Sequence, residues 1–223
     1  MDIPKDFIIR IINQFETGSP EGAYDKLVIQ DDGINGTYQI TYGRSQTTEQ
    51  GNLRYLLEMY VEAQGAYSTD LLPFLDRIGQ ESLVAENEFH ELLVRAAKDD
   101  PVMRQVQDKF FDAFYWEPAI EWCEEYGLKT ALAGLVVYDS QVHSGGVPLF
   151  LRKRFSERPP SKGGDEKRWL AAYVDARHQW LRYHKRTQLR ECVSRTECFR
   201  QEMERGNWDL QLRPVMVKGV AIE

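Results

Sequence analysis

The sequence predicts an α+β protein, mainly α, with one small antiparallel sheet near its N-terminus. Three observations carry that expectation. Apolar residues recur at helical spacing from Ile8 to Met203. The strongest hairpin signal is confined to residues 27–42. The 223 residues are 42% apolar and 28% charged, the balance of a single globular domain over 1–223 rather than of a disordered or fibrous chain.

Asp2 is placed to cap a first helix that holds Pro4 in its first turn and Ile8, Ile11, Ile12 and Phe15 on one face. Thr-Gly-Ser-Pro at 17–20 ends it near Glu16. Two β-prone runs follow, 27–30 and 37–42, joined by Asp31-Asp-Gly-Ile-Asn-Gly36. The Asp32-Gly33 and Asn35-Gly36 steps are turn dipeptides, so this stretch reads as a hairpin. Helical patterns then run through Leu53–Val61, Phe89–Ala96 and Met103–Phe114, the last interrupted by Pro118. A short segment over 119–126 stops at Gly127, and 128–142 is almost wholly apolar up to Tyr138, which predicts a buried central helix. Trp169–Trp180 and Cys192–Met203 mark the last two helices, with loops at 144–148 and 157–164.

Charge and composition exclude several classes. Twenty-eight Lys and Arg against 35 Asp and Glu give a net charge of −7. A general nucleic-acid binder needs the opposite balance, whereas a polycationic partner fits it. No apolar run is long enough to span a membrane, so no membrane partner is expected. Three cysteines at 123, 192 and 198 form no disulfide framework or zinc spacing. No motif calls for a cofactor or a metal, and a monomer is expected. His143 sits near Ser140 and Asp139 without a nucleophile elbow, so it reads as a helix-end residue.

The pair that suggests chemistry is Glu16, ending the first helix, and Asp32, in the hairpin turn. Glycosidic hydrolysis uses one protonated carboxyl for the leaving oxygen and one ionised carboxylate for the water. Glu16 follows an apolar helix face that can shield it, and Asp32 lies in a polar turn that keeps it charged. On pattern alone the pair reads more readily as a solvated helix end and a turn-forming Asp, since 35 acids make some such spacing nearly inevitable. Tyr38, Tyr42, Trp116 and Trp208 are candidates to stack on sugar rings or to pack in the core.

Four blocks, in order along the chain, resemble the chitosanases of glycoside hydrolase family 46. They are Phe15-Glu-Thr-Gly-Ser19 leading to Asp32-Gly33; Tyr115-Trp-Glu-Pro-Ala119 with Tyr126-Gly-Leu128, Tyr138-Asp139 and His143; Gly163-Gly-Asp-Glu166 with Tyr173-Val-Asp-Ala-Arg177; and Gly206-Asn-Trp-Asp-Leu210. The resemblance implies a lysozyme-like, two-lobed fold with the sheet beside a substrate cleft. It also implies inverting hydrolysis of β-1,4 bonds in a polysaccharide, chitosan or, as an alternative, peptidoglycan. A sugar-binding relative without catalysis is a further alternative.

In that resemblance Glu16 matches the general acid and Asp32 the base, with Asp31 replacing it if the turn slips by one residue. Inversion implies carboxyls about 6.5–9.5 Å apart. A Thr on the following strand helps hold the water, and both Thr37 and Thr41 fit. Asp139, Arg158 and Arg177 match a buried charge network supporting the acid. An unpaired Asp139 at the end of an apolar helix would be costly, which independently calls for an Arg partner. Where the family grips a substrate ammonium with a carboxylate after a Gly, this chain has Gly51-Asn52, and Glu49 is near enough in sequence to substitute. Asn52, Glu49, Tyr42 and Tyr38 are therefore the expected substrate contacts. Such a substrate implies secretion or delivery outside the cytoplasm, although no signal peptide is legible at the N-terminus.

Overall fold

A computed structural model describes residues 3–44 and 46–223. Asp2, the expected first cap, lies outside them, and Pro4 occupies the N-cap of α1 (Lys5–Thr17) instead of its first turn. The chain forms two compact units, Met1–Glu21 with Ala113–Glu223, and Gly22–Asp112.

The second unit, Gly22–Asp112, holds the hairpin. Strand β1 (Leu27–Gln30) pairs antiparallel with β2 (Gln39–Tyr42), Leu27 opposite Tyr42 and Gln30 opposite Gln39. β3 (Thr47–Thr48) adds to the other edge of β2. The turn is longer than the dipeptides suggest. A 3₁₀ turn at Ile34–Gly36 delays the return strand to Gln39, so Thr37 and Tyr38 precede it. Four helices complete the unit: α2 (Leu53–Glu62), α3 (Ser68–Leu75), α4 (Asn87–Asp99) and α5 (Pro101–Phe111). Their apolar faces bury Leu56, Leu57, Phe89, Leu93 and Phe110. The helix Phe114 was expected to extend ends at Phe111 and passes into a π-helical turn over Asp112–Trp116.

The first unit contains α1, α6 (Glu117–Tyr126), α7 (Ala131–Ser144), α8 (Leu149–Arg152), α9 (Glu166–Arg182), α10 (Thr187–Glu191) and α11 (Val193–Glu204). α7 is the expected buried helix, with every residue from Ala131 to Ser140 inaccessible. Thr130 caps its start by accepting from the Ala133 N–H, and Gly145 ends it at φ 67°. A second, unexpected sheet closes the chain. β4 (Val215–Val217) and β5 (Val220–Ile222) form a tight hairpin through Lys218 and Gly219, both at positive φ. This hairpin packs on α1, where the Lys218 ammonium donates to the Phe15 carbonyl at 3.0 Å. A cation on the last turn of a helix suits its exposed carbonyls.

Candidate active site

Helix α1 carries the first of the candidate carboxylates. Its apolar face, Phe7, Ile8, Ile11, Ile12 and Phe15, is fully buried. The helix stops because Gly18 adopts φ 78° and returns its N–H to Gln14. Asn13 then donates to the Pro20 carbonyl at 3.0 Å, drawing the following loop back over the helix end. Glu16 is left on the rim of the buried face with 23% of its side chain exposed.

Glu16 is the outer member of a charge chain. Its carboxylate accepts from Nη2 of Arg195 on α11. Arg195 Nη1 donates to Asp139 at 2.6 Å, and Nη1 of Arg177 on α9 lies 2.6 Å from the other Asp139 oxygen. Asp139 is completely inaccessible, Arg177 almost so, and Arg195 is 5% exposed. The order is thus carboxylate, guanidinium, carboxylate, guanidinium, each charge compensated by its neighbours. Burial pushes the Asp139 carboxyl up, but Arg195 and Arg177 outweigh it and hold it below the usual carboxylate range. Burial likewise opposes the charge on Arg195, and Asp139 and Glu16 more than restore it. Packing locks the geometry. The Arg195 guanidinium lies 5.0 Å from the Phe15 ring, which meets Phe199 edge-on at 6.0 Å, and Arg195 and Phe199 are four residues apart on α11. Ser140, next to Asp139, shares a 2.8 Å hydrogen bond with Tyr173, one turn before Arg177.

The expected network is corrected at one member. Asp139 and Arg177 meet, but Arg158 is exposed and joins none of these pairs among the described residues; Arg195 takes its place. Arg158 belongs to a tight backbone crossing: its carbonyl lies 1.6 Å from where a side chain on Gly164 would begin. The Arg-Pro-Pro-Ser-Lys-Gly-Gly pattern therefore records steric packing. Arg195 lies on a mixed buried face of α11 with Thr196, Cys198, Phe199 and Glu202, so its sequence signal was faint.

In the second unit, Asp32 is exposed at the hairpin tip and accepts a 2.9 Å hydrogen bond from the Gln39 amide; Asp31 beside it is also exposed. Thr37 is exposed too. Its hydroxyl donates to the Ile34 carbonyl and accepts from Gln50, both at 2.9 Å. Gly33 donates its N–H to the Thr37 carbonyl, which brings Thr37 back beside Asp32. Thr37 is not on a strand, so the two threonines do not share a strand face as expected. Thr41 is on β2, 4% exposed, and its hydroxyl has no hydrogen-bond partner among the described residues.

Two expected substrate contacts are also corrected. Tyr42 is inaccessible, with its phenol donated to the Leu93 carbonyl at 2.7 Å, so it is a core residue and not a stacking platform. Burial pushes that phenol well up. Glu49 borders a cavity of about 670 Å³ together with Thr37, Tyr38, Gln50 and Glu81, but its charge is spent internally. One oxygen accepts from the Leu83 N–H at 2.6 Å and the other from the Ile40 N–H at 3.2 Å. Tyr38 is 61% exposed on the same cavity, and Asn52 is exposed at the N-cap of α2 with no capping hydrogen bond. Trp116 packs edge-on against buried Tyr138 at 5.0 Å, and Trp208 carries the Lys167 ammonium over its ring.

A mainly helical chain with a carboxylate braced on buried charge and another at a polar hairpin tip has the equipment of a glycoside hydrolase. Comparison with known proteins gives the same class. Residues 10–215 match glycosyl hydrolase family 46, and the chain belongs to that family. It is 30% identical to a chitosanase of Bacillus subtilis (strain 168) over 212 residues, covering 88% of this chain and 75% of that one. The native chitosanase of Bacillus subtilis MY002 superposes with a TM-score of 0.81 at 27% identity over 98% of both chains. A mutant of that protein has been solved in complex with 6 GlcN. A family 46 chitosanase of Gynuella sunshinyii, solved with chitotetraose, gives a TM-score of 0.79 at 26% identity, over 99% of this chain and 97% of that one.

Proposed function

We propose that this glycoside hydrolase is an inverting endo-enzyme that cleaves β-1,4 bonds between amino sugars, with chitosan as its substrate. The observation that carries the reading is Glu16 itself, a partly exposed carboxylate whose orientation is fixed by a buried Arg195–Asp139–Arg177 chain. An exposed glutamate with no role would not need three buried charges behind it. In this reading Glu16 delivers a proton to the glycosidic oxygen, the bond to the anomeric carbon breaks, and the departing sugar leaves as an alcohol. Water attacks the anomeric carbon from the opposite side and gives its proton to Asp32. Thr37 is the threonine that holds this water, because Thr41 is buried.

Chitosan is favoured by the oligosaccharides bound in the solved relatives and by the charge of the second unit. Gly22–Asp112 contains 16 Asp and Glu against 8 Lys and Arg, a net charge of −8 that attracts a polycation. A second reading rests on Asn52, a neutral amide where the family carries a carboxylate. It keeps the same acid and base but makes the polymer peptidoglycan. Parallel digestion of glucosamine oligomers, N-acetylglucosamine oligomers and purified sacculi separates the two. New reducing ends are expected from glucosamine oligomers alone. Release from sacculi alone establishes peptidoglycan, and binding with no cleavage of any polymer makes the chain a non-catalytic relative.

A further inference from the structure

We propose that Gln39 and Gln50 are positioning residues for the attacking water, acting through Asp32 and Thr37. This rests on reading Asp32 as the base. The two amides form one hydrogen-bonded relay. The Gln50 main-chain N–H donates to Gln39 Oε1 at 3.2 Å, so the Gln39 NH₂ group must face the other way, and there it donates to Asp32 Oδ1 at 2.9 Å. The Ile34 N–H donates to Gln50 Oε1 at 2.6 Å, so the Gln50 NH₂ group is turned to Thr37 Oγ1, 2.9 Å away. Main-chain N–H groups can only donate, which fixes both amide orientations. Gln39 is 6% exposed, held by its ladder position opposite Gln30, so the relay is anchored in the sheet while the tip it holds is open to solvent.

The relay determines what each group offers to a water. Thr37 gives its only hydroxyl proton to the Ile34 carbonyl and one lone pair to Gln50. What remains is a single acceptor site, so Thr37 can take a hydrogen from water but cannot give one. Asp32 receives Gln39 on Oδ1, which leaves Oδ2 without a hydrogen bond among the described residues. A water bound by Thr37 and Asp32 Oδ2 therefore has both hydrogens accepted, and its lone pairs are turned away from the hairpin, ready to attack. Without Gln50, the Thr37 hydroxyl would regain a choice of partners. Without Gln39, the Asp32 carboxylate would rotate freely in solvent. Gly33 enters the same assembly, because a Cβ there would meet Thr37 Oγ1 at 2.7 Å and Gln50 Nε2 at 2.8 Å.

The test compares Gln39→Met, Gln39→Glu, Gln50→Met and Asp32→Asn on a glucosamine hexamer, with kcat, KM, thermal midpoint and the pH profile of kcat/KM measured for each. Losing either amide is expected to lower kcat by about 10- to 100-fold with KM within about twofold, as for a mispositioned nucleophile. Gln39→Glu recovers activity relative to Gln39→Met only at acid pH, where the introduced carboxyl carries a proton to donate. Wild-type kcat in both Met variants overturns the proposal, as does a loss that follows the thermal midpoint with no recovery in Gln39→Glu at acid pH. Full turnover by Asp32→Asn would overturn the assignment of the base itself, whatever the glutamines do.

Discussion

Arg195 serves two carboxylates with very different surroundings, one sealed in the protein and one partly open to solvent. Removing it would leave Asp139 buried with Arg177 as its one remaining guanidinium partner among the described residues and would free Glu16 to turn. Breaking a buried pair from one side costs about 3–5 kcal/mol, far more than the pair gains over an apolar replacement. Arg195→Met is therefore expected to lose stability on that scale, read by urea unfolding, and to lose most of its activity even at temperatures where it remains folded. Arg158→Met, exposed and outside the chain of charges, is expected to change neither. Glu16 and Asp139 were legible from a helix end and the end of an apolar run, whereas Arg177 and Arg158 entered only through the family resemblance. Arg195 was missed because one Arg on a mixed helix carries no mark, whereas the Pro- and Gly-rich motif around Arg158 is conspicuous. Tyr42 misled for a similar reason: an aromatic on a short strand carries no mark of which face it occupies, and only the pairing with β1 and the contact to Leu93 decide it.

Among elements, α7 links the charge chain to the rest of its unit. One turn after Asp139 it carries His143, whose imidazole is pushed down to about 4, first by burial and then by Arg177 and Arg195, with Asp139 opposing. Between pH of about 4 and 6.5 the unfolded chain binds a proton at His143 that the native one refuses, so stability rises with pH across this window. The contribution lost between pH 7 and pH 5 is about 2 kcal/mol. Asp139 acts in a separate window, because its lowered carboxyl stabilises the fold above the ordinary carboxylate value and loses this only in stronger acid. His143→Gln is expected to flatten the dependence between pH 7 and 5 in urea titrations, and an unchanged slope would refute it. The periodic helices α2, α4 and α9 were legible because 3.6-residue spacing records a buried face, and α7 because its apolar run is continuous. α3 was not, since Pro73 within its eight residues reads as a breaker. β4 and β5 were missed because three-residue strands offer too little alternation, although Lys218-Gly219 marks the turn between them.

At the level of the whole molecule, the net charge of −7 conceals an uneven distribution. Gly22–Asp112 alone carries −8, so the remainder is +1. Bulk charge hinted at a cationic partner; its concentration in the unit that holds Asp32 and Thr37 gives the hint a location. Family membership fixes the class of chemistry over nearly the whole chain, and Glu16 and Asp32 are the residues on which the proposed mechanism stands. The two carboxylates have distinct duties in an inverting reaction, and the configuration of the first product reports on them directly. Digestion of a glucosamine hexamer by the wild-type protein and by Glu16→Gln, followed by proton NMR within the first minutes, measures that configuration before the anomers equilibrate. The α-anomer is expected to appear first with the wild-type protein, and no product with a folded Glu16→Gln variant. Initial release of the β-anomer, or full activity of Glu16→Gln, would contradict the account.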